Sequence, residues 1–160
     1  CRVYAINMDG ARYCATPLFS ESEYPRGCGQ IEHILFDGLT VYSTGGNLDQ
    51  DVFAFFGRKA EETIRSFHVD KAIISCTGMD MDGRFTEAGV NNANIKQSMM
   101  ASAKETILAM DSHKFSKTAF ITVGDFSQIS TVVTDQDPGR AWRECLAEHK
   151  VRLVDAATSL

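Results

Sequence analysis

A chain of 160 residues, 44% hydrophobic and 23% charged, with 12 Gly and 3 Pro, has the composition of one globular domain, which excludes fibres and disordered tails. At this length about two-thirds of the unfolded surface can be buried, so the core needs no disulfide, metal or cofactor to staple it. The formal charge of −5, from 16 Lys plus Arg against 21 Asp plus Glu, repels phosphate backbones and anionic membranes, so bulk nucleic-acid or membrane binding is not expected of this piece.

In chain order, residues 2–7 alternate like a strand, whereas residues 8–29 mix Pro17, Pro25, Gly27 and Gly29 with no period, leaving residues 1–38 poorly legible. The longest apolar run, residues 52–56, is far shorter than the roughly 20 residues of a membrane span, and no signal peptide opens the chain. A soluble, cytoplasmic protein is expected, and an opening at Cys1 rather than Met suits a fragment of something longer. Val52, Phe53, Phe55 and Phe56 form a concentrated apolar patch that reads as core or subunit interface, with core preferred. Cys1, Cys14, Cys28, Cys76 and Cys145 are scattered without a C-x-x-C, as expected of free thiols in a reducing compartment.

From residue 39 onward short apolar runs alternate with polar turns and helical spacing, the pattern of an α/β domain with a mainly parallel sheet covered by helices. The runs 39–43, 71–76, 106–110, 131–134 and 151–154 predict strands buried on both faces. Ala60, Ile64 and Phe67 predict one helix, and Ile95, Met99 and Ala103 a second. A third is expected from Asp137, with Pro138 in its first turn and Trp142, Cys145, Leu146 and His149 on its buried side.

In an open parallel sheet ligands bind beyond the carboxyl ends of the strands. The first predicted strand is followed by Thr44-Gly45-Gly46-Asn47, and the second by the run from Thr77 to Thr86. Asp111-Ser112-His113-Lys114-Phe115 follows the third, Asp135 the fourth and Asp155 the fifth. A Gly pair can admit an anion to the backbone, but more commonly it only turns the chain. Asp80 and Asp82 suit sugar hydroxyls, a hard cation or acid/base work; the plain alternative is a solvated turn whose Asp caps its own backbone. Asp111-x-x-Lys114 sets a cation beside a carboxylate at the rim, where Lys meets phosphate as a point charge; a surface ion pair of little weight is the alternative. His33, His68, His113 and His149 lack metal-ligand spacing, and neither GxGxxG nor GxxxxGK[ST] is present, so metal, dinucleotide and P-loop sites are not expected. Cys76 reads as a small core residue rather than a nucleophile, and Trp142 as packing.

Taken in order, the segments containing Gly45-Gly46, Phe67-His68-Val69-Asp70-Lys71-Ala72, Gly78-Met79-Asp80, Gly83-Arg84-Phe85-Thr86, Ile95-Lys96-Gln97-Ser98-Met99-Met100, Asp111-Ser112-His113-Lys114-Phe115 and Val133-Thr134-Asp135 form one ordered series. The series resembles the C-terminal effector domain of DeoR-family bacterial transcriptional repressors over about residues 39–156. The resemblance implies a Rossmann-like fold similar to ribose-5-phosphate isomerase, glucosamine-6-phosphate deaminase and the CoA-transferases, and a phosphorylated sugar that releases the repressor from DNA. It implies ligand-binding roles for Gly45 and Gly46, for Gly78, Asp80, Asp82, Gly83, Arg84 and Thr86 of the ligand loop, for Lys96 on the helix, and for Asp111 and Lys114 at the rim. Two departures stand out: the family's Gly-Thr-Thr phosphate loop is not found in residues 1–38, and residues 91–94 read Asn-Asn-Ala-Asn where the family often has glutamates. The family's winged helix-turn-helix is also absent from this sequence, which assigns DNA binding to residues outside it.

The expected function is therefore a single ligand-sensing domain with no catalytic residue, no metal and no cofactor. It would bind a phosphorylated sugar or similar metabolite, reach DNA only through another domain, and act as a homodimer or homotetramer. The rival reading is a sugar-phosphate isomerase or deaminase on the same scaffold, with Asp80 or Asp82 as base and Lys114 holding phosphate. An oligomerisation domain with a vestigial pocket is the third.

Overall fold

The computed structural model of the chain describes residues 4–6, 42–49 and 54–155. In chain order they form β1 (Tyr4–Ile6), β2 (Asn47–Asp49), β3 (Ala54–Phe56), α1 (Arg58–Arg65), β4 (Val69–Ile74), β5 (Gly78–Met79), β6 (Arg84–Glu87) and α2 (Val90–Ser102). There follow β7 (Ala103–Ala109), a 3-10 turn (Ser112–Lys114), β8 (Ile121–Asp125), a second 3-10 turn (Phe126–Gln128), β9 (Thr131–Val133), α3 (Arg140–Glu148) and β10 (Arg152–Val154).

The strands β1-β4-β7-β9-β10 make one sheet in that order, and every neighbouring pair is parallel. The order advances in one direction only, and right-handed crossovers then lay the connections over one face. Burial follows that rule. Ala72, Ile74, Thr106, Leu108 and Val132, which share a face by register, are buried. Lys71, Ile73, Glu105, Ile107 and Thr131 on the opposite face are half-buried, and Lys71 pairs there with Glu105. Among the described residues the sheet is thus fully covered on one side, where both sides were expected to be. No helix among them is long and apolar enough to cross a membrane.

Four of the five predicted strands appear at their places. The run 39–43 differs: residues 39–41 lie outside the described residues, and Tyr42 and Ser43 join no sheet. The remaining position in the parallel sheet is held by β1, inside the alternating run 2–7. Ala103, expected on the second helix, opens β7 and pairs with Val69, because α2 stops at Ser102 with no intervening loop. The Ser102 hydroxyl closes that end by donating to the carbonyls of Ser98 and Ile64. The third helix starts at Arg140 rather than Asp137, since residues 137–139 are a turn whose Asp137 carboxylate accepts the Gly139 N–H at 2.9 Å. Of its expected inner residues Trp142, Cys145 and Leu146 are buried, but His149 lies past the helix end and is exposed.

The antiparallel sheet β5-β6-β8 is not among the elements the sequence predicts. Phe85, Thr86 and Glu87 are buried in succession, with a register shift between Phe85 and Thr86, so the period-2 alternation that marks a strand is missing from the sequence. The hairpin β2-β3 lies where the sequence predicts a turn and an apolar patch. In that patch Phe56 is core and Phe55 is partly exposed, while Val52 and Phe53 lie outside the described residues.

Candidate functional site

Parallel strands deliver their carboxyl ends to one edge, and the polar residues that follow them collect there. Beyond β4 stand Ser75, Cys76 and Thr77; beyond β7, Asp111 and the turn Ser112–Lys114; beyond β9, Thr134 and Asp135; beyond β10, Asp155. The Met110 N–H donates to the Val133 carbonyl and the Thr134 N–H to that of Val154, carrying the sheet ladder up to the rim.

The turn at Ser112–Lys114 is held from three sides. Asp111 caps it by accepting the His113 N–H at 2.7 Å. Asp135 accepts the Ser112 N–H at 2.7 Å and the Ser112 hydroxyl at 3.3 Å. Phe115 is buried with its ring 4.9 Å from that of Trp142, whose indole N–H donates to the Ser116 hydroxyl at 3.2 Å. The backbone N–H donated by Ser112 holds the Asp135 carboxyl below the usual aspartate range, with burial opposing it. Lys114 then projects back toward β4, its ammonium 3.2 Å from the Ser75 hydroxyl.

The alternative reading of Asp111 and Lys114 as a surface ion pair is not what the fold makes: no ion pair joins them, and Asp111 accepts the His113 N–H of its own turn. No carboxylate among the described residues pairs with Lys114. Its neighbours at the same edge behave differently: Arg143 pairs with Asp137 at 2.8 Å and with the buried Asp155 at 2.6 Å.

The remaining predicted residues fall into separate clusters. Asp80 and Asp82 sit at the β5-β6 hairpin tip, paired with Arg84 at 3.2 and 2.8 Å, and Asp80 also accepts the Arg84 backbone N–H. Gly83 turns that tip, its N–H donating to the Asp80 carbonyl. Both carboxylates proposed as a base in the enzyme reading are thus engaged by a guanidinium. Thr86 is buried, donating its hydroxyl to the Gly78 carbonyl and accepting the Ala119 N–H. A Cβ on Gly78 would lie 2.4 Å from the Lys117 carbonyl oxygen, so the strand and the 117–119 segment meet only because that residue is glycine. Gly45 and Gly46 lie beside α1, where a Cβ on Gly46 would meet the Phe56 carbonyl oxygen at 2.6 Å. Among the described residues no hydrogen bond or ion pair joins Lys114 to Asp80 or Asp82.

Lys96 is fully buried. Its ammonium lies 3.0 Å from Glu87, itself 1% exposed, and Glu87 accepts the Thr77 hydroxyl at 2.7 Å. The helical stripe read from Ile95, Met99 and Ala103 hid this, because α2 buries Ala93, Lys96, Ser98 and Met100 as well and so packs on more than one side. Ser75 and Asp135 are not among the site residues the sequence predicts: Asp135 is marked only by its place after a strand, and Ser75, inside the predicted run 71–76, carries no signal of its own.

A family model described as the DeoR C terminal sensor domain matches residues 31–136, more than half of the chain. The chain belongs to that family. The matched DeoR segment includes every predicted site residue and ends just after Asp135, leaving α3 and β10 beyond it. The chain is 32% identical over 112 residues to the L-fucose operon activator of Haemophilus influenzae, covering 69% of this chain and 45% of that protein. It is 30% identical over 118 residues to the HTH-type transcriptional repressor GlcR of Bacillus subtilis, covering 74% and 45%. It is 26% identical over 117 residues to the glycerol-3-phosphate regulon repressor of Escherichia coli, covering 73% and 46%. These DeoR relatives are transcriptional regulators, and the chain spans a little under half of their length.

Proposed function

We propose that this chain is a single ligand-sensing domain that binds a phosphorylated sugar or related anionic metabolite at the carboxyl edge of its parallel sheet, and that binding modulates a separate helix-turn-helix domain's hold on DNA. The observation that carries the reading is Lys114: an ammonium at a strand-end rim, steadied by a neutral hydroxyl and in an ion pair with no carboxylate among the described residues. Such a cation is suited to a phosphate oxygen. Ser75 and the Asp111 turn are its companions at the rim, and the Asp80-Asp82-Arg84 tip and Gly45-Gly46, each in a cluster of its own, are kept as further ligand groups. In this reading Gly78, Gly83, Thr86 and Lys96 act by holding the hairpin and helix rather than by touching ligand.

No bond is made or broken; the ligand shifts a population between two arrangements by binding one of them better. A homodimer or homotetramer in the bacterial cytoplasm suits a regulator that reads paired half-sites. The test is calorimetry with a panel of sugar phosphates and the matching unphosphorylated sugars. Lys114→Ala is expected to weaken the phosphorylated ligand by about ten- to a hundredfold, as loss of a charge-assisted contact does, and to leave the unphosphorylated sugar nearly unchanged. Equal affinity of the folded variant and the parent for the phosphorylated ligand would sink the reading, as would a panel in which nothing binds.

A further inference from the structure

We propose that Asp135 is a positioning residue for Lys114: by gripping Ser112 across the gap between β9 and β7, it sets the turn from which the lysine reaches an anion. The proposal rests on the reading of Lys114 as the anion's partner. Its grounds are geometric. A single 3-10 turn has little hold on itself. Here the internal backbone bonds are Lys114 N–H to Asp111 at 3.0 Å and Phe115 N–H to Ser112 at a long 3.4 Å.

The carboxyl-terminal side of the turn is anchored by Phe115 in the core. Its amino-terminal side is anchored to the neighbouring strand end by Asp135, whose two oxygens take the N–H and the O–H of the same serine. The Thr134 hydroxyl, 3.2 Å from Asp135, steadies the carboxylate in turn. A carboxylate at the rim of an anion site would by itself repel the ligand. Both oxygens are directed at Ser112, so the group serves the geometry of the turn, and that gain outweighs the repulsion its charge retains. Asp135 is exposed, so shortening it opens no cavity in the core.

The test uses the chain as it stands with inorganic phosphate as probe, read by phosphorus NMR titration, for the parent, Lys114→Ala, Asp135→Ala, Asp135→Asn and the Lys114→Ala/Asp135→Ala pair. Asp135→Ala is expected to weaken phosphate by roughly three- to tenfold, the size of coupling between side chains in one network. Asp135→Asn, which keeps an oxygen for the Ser112 N–H, should recover affinity to within about twofold of the parent. In the Lys114→Ala background the Asp135→Ala change should add nothing. Amide exchange at Ser112, measured without phosphate, should quicken in Asp135→Ala and slow again in Asp135→Asn.

If Lys114→Ala weakens phosphate and Asp135→Ala does not, the positioning role falls while the reading of Lys114 stands. If Lys114→Ala has no effect, or the parent takes no phosphate, the reading itself falls and the proposal with it. An Asp135→Ala loss of the same size in both backgrounds, an Asp135→Asn variant no better than Asp135→Ala, or Ser112 exchange unchanged in Asp135→Ala also overturns the proposal.

Discussion

Lys96 and Lys114 are alike in the sequence, each a lysine inside the segment that matches the DeoR sensor-domain model, yet the fold gives them opposite environments. Lys96 lies wholly inside, its charge matched by Glu87 and linked through it to the Thr77 hydroxyl. Lys114 stands at the edge of the sheet against a serine hydroxyl. A charge that is buried and paired contributes to which packing is adopted and leaves little for a ligand; a charge at the rim contributes little to packing and remains available. The difference lies in the element each residue rides on. Lys96 is on a helix packed on several sides, Lys114 on a one-turn excursion beyond a strand end.

The sharpest break of this comparison is Lys96→Met. It removes the cation that lies 3.0 Å from the buried Glu87 and should cost about 3–5 kcal/mol in urea unfolding, while Lys96→Met combined with Glu87→Leu should regain most of that loss. Lys114→Ala, whose binding consequence is given above, should move the same unfolding curve by no more than about 0.5 kcal/mol. A Lys114→Ala protein as destabilised as Lys96→Met would erase the distinction between the two sites.

Gly78→Ala tests the scaffold that separates them. Its Cβ has no room beside the Lys117 carbonyl, and the forced shift of the 117–119 segment should cost about 1–3 kcal/mol. Thermal unfolding of Gly78→Ala at the parent's midpoint would show that the contact yields freely.

A further small effect is on pH dependence. The Asp135 carboxyl is held below its ordinary value, so its contribution to stability is present above the unfolded aspartate pKa of about 3.9 and is lost as pH falls through the lower folded value. The stability gap between the parent and Asp135→Asn should therefore narrow on acidification from pH 5 into that range. The group is open to water, so the gap should stay under about 1 kcal/mol throughout. A gap that widens on acidification would contradict the hydrogen bonding seen at Ser112.

Legibility followed the length and regularity of each element. The strands at 69–74, 103–109, 131–133 and 152–154 announce themselves as apolar runs with turn residues behind them, and they bring the rim residues to one edge. The β5-β6-β8 sheet does not, because its strands are short and its inner residues, Phe85 to Glu87, are buried without alternation. The same limit applies to the partners of the site residues. That Asp111 would cap its own turn is a local matter of one carboxylate and an N–H two residues on. That Lys114 would meet Ser75 requires β4 and β7 to be neighbours, a fact 39 residues of sequence separation conceal.

Taken alone, the sequence determined the α/β class, most of the parallel strands, the absence of metal-ligand spacing, and kinship with DeoR effector domains, all of which depend on local periodicity or on ordered motifs. Only the tertiary structure decided which charges cancel. It buried Lys96 with Glu87, gave Asp80 and Asp82 to Arg84, turned Asp135 onto Ser112 and set Lys114 against a hydroxyl. The reason is physical: a side chain's electrostatic fate depends on what lies within a few ångströms of it in space, and across a parallel sheet those neighbours come from strands far apart in the chain.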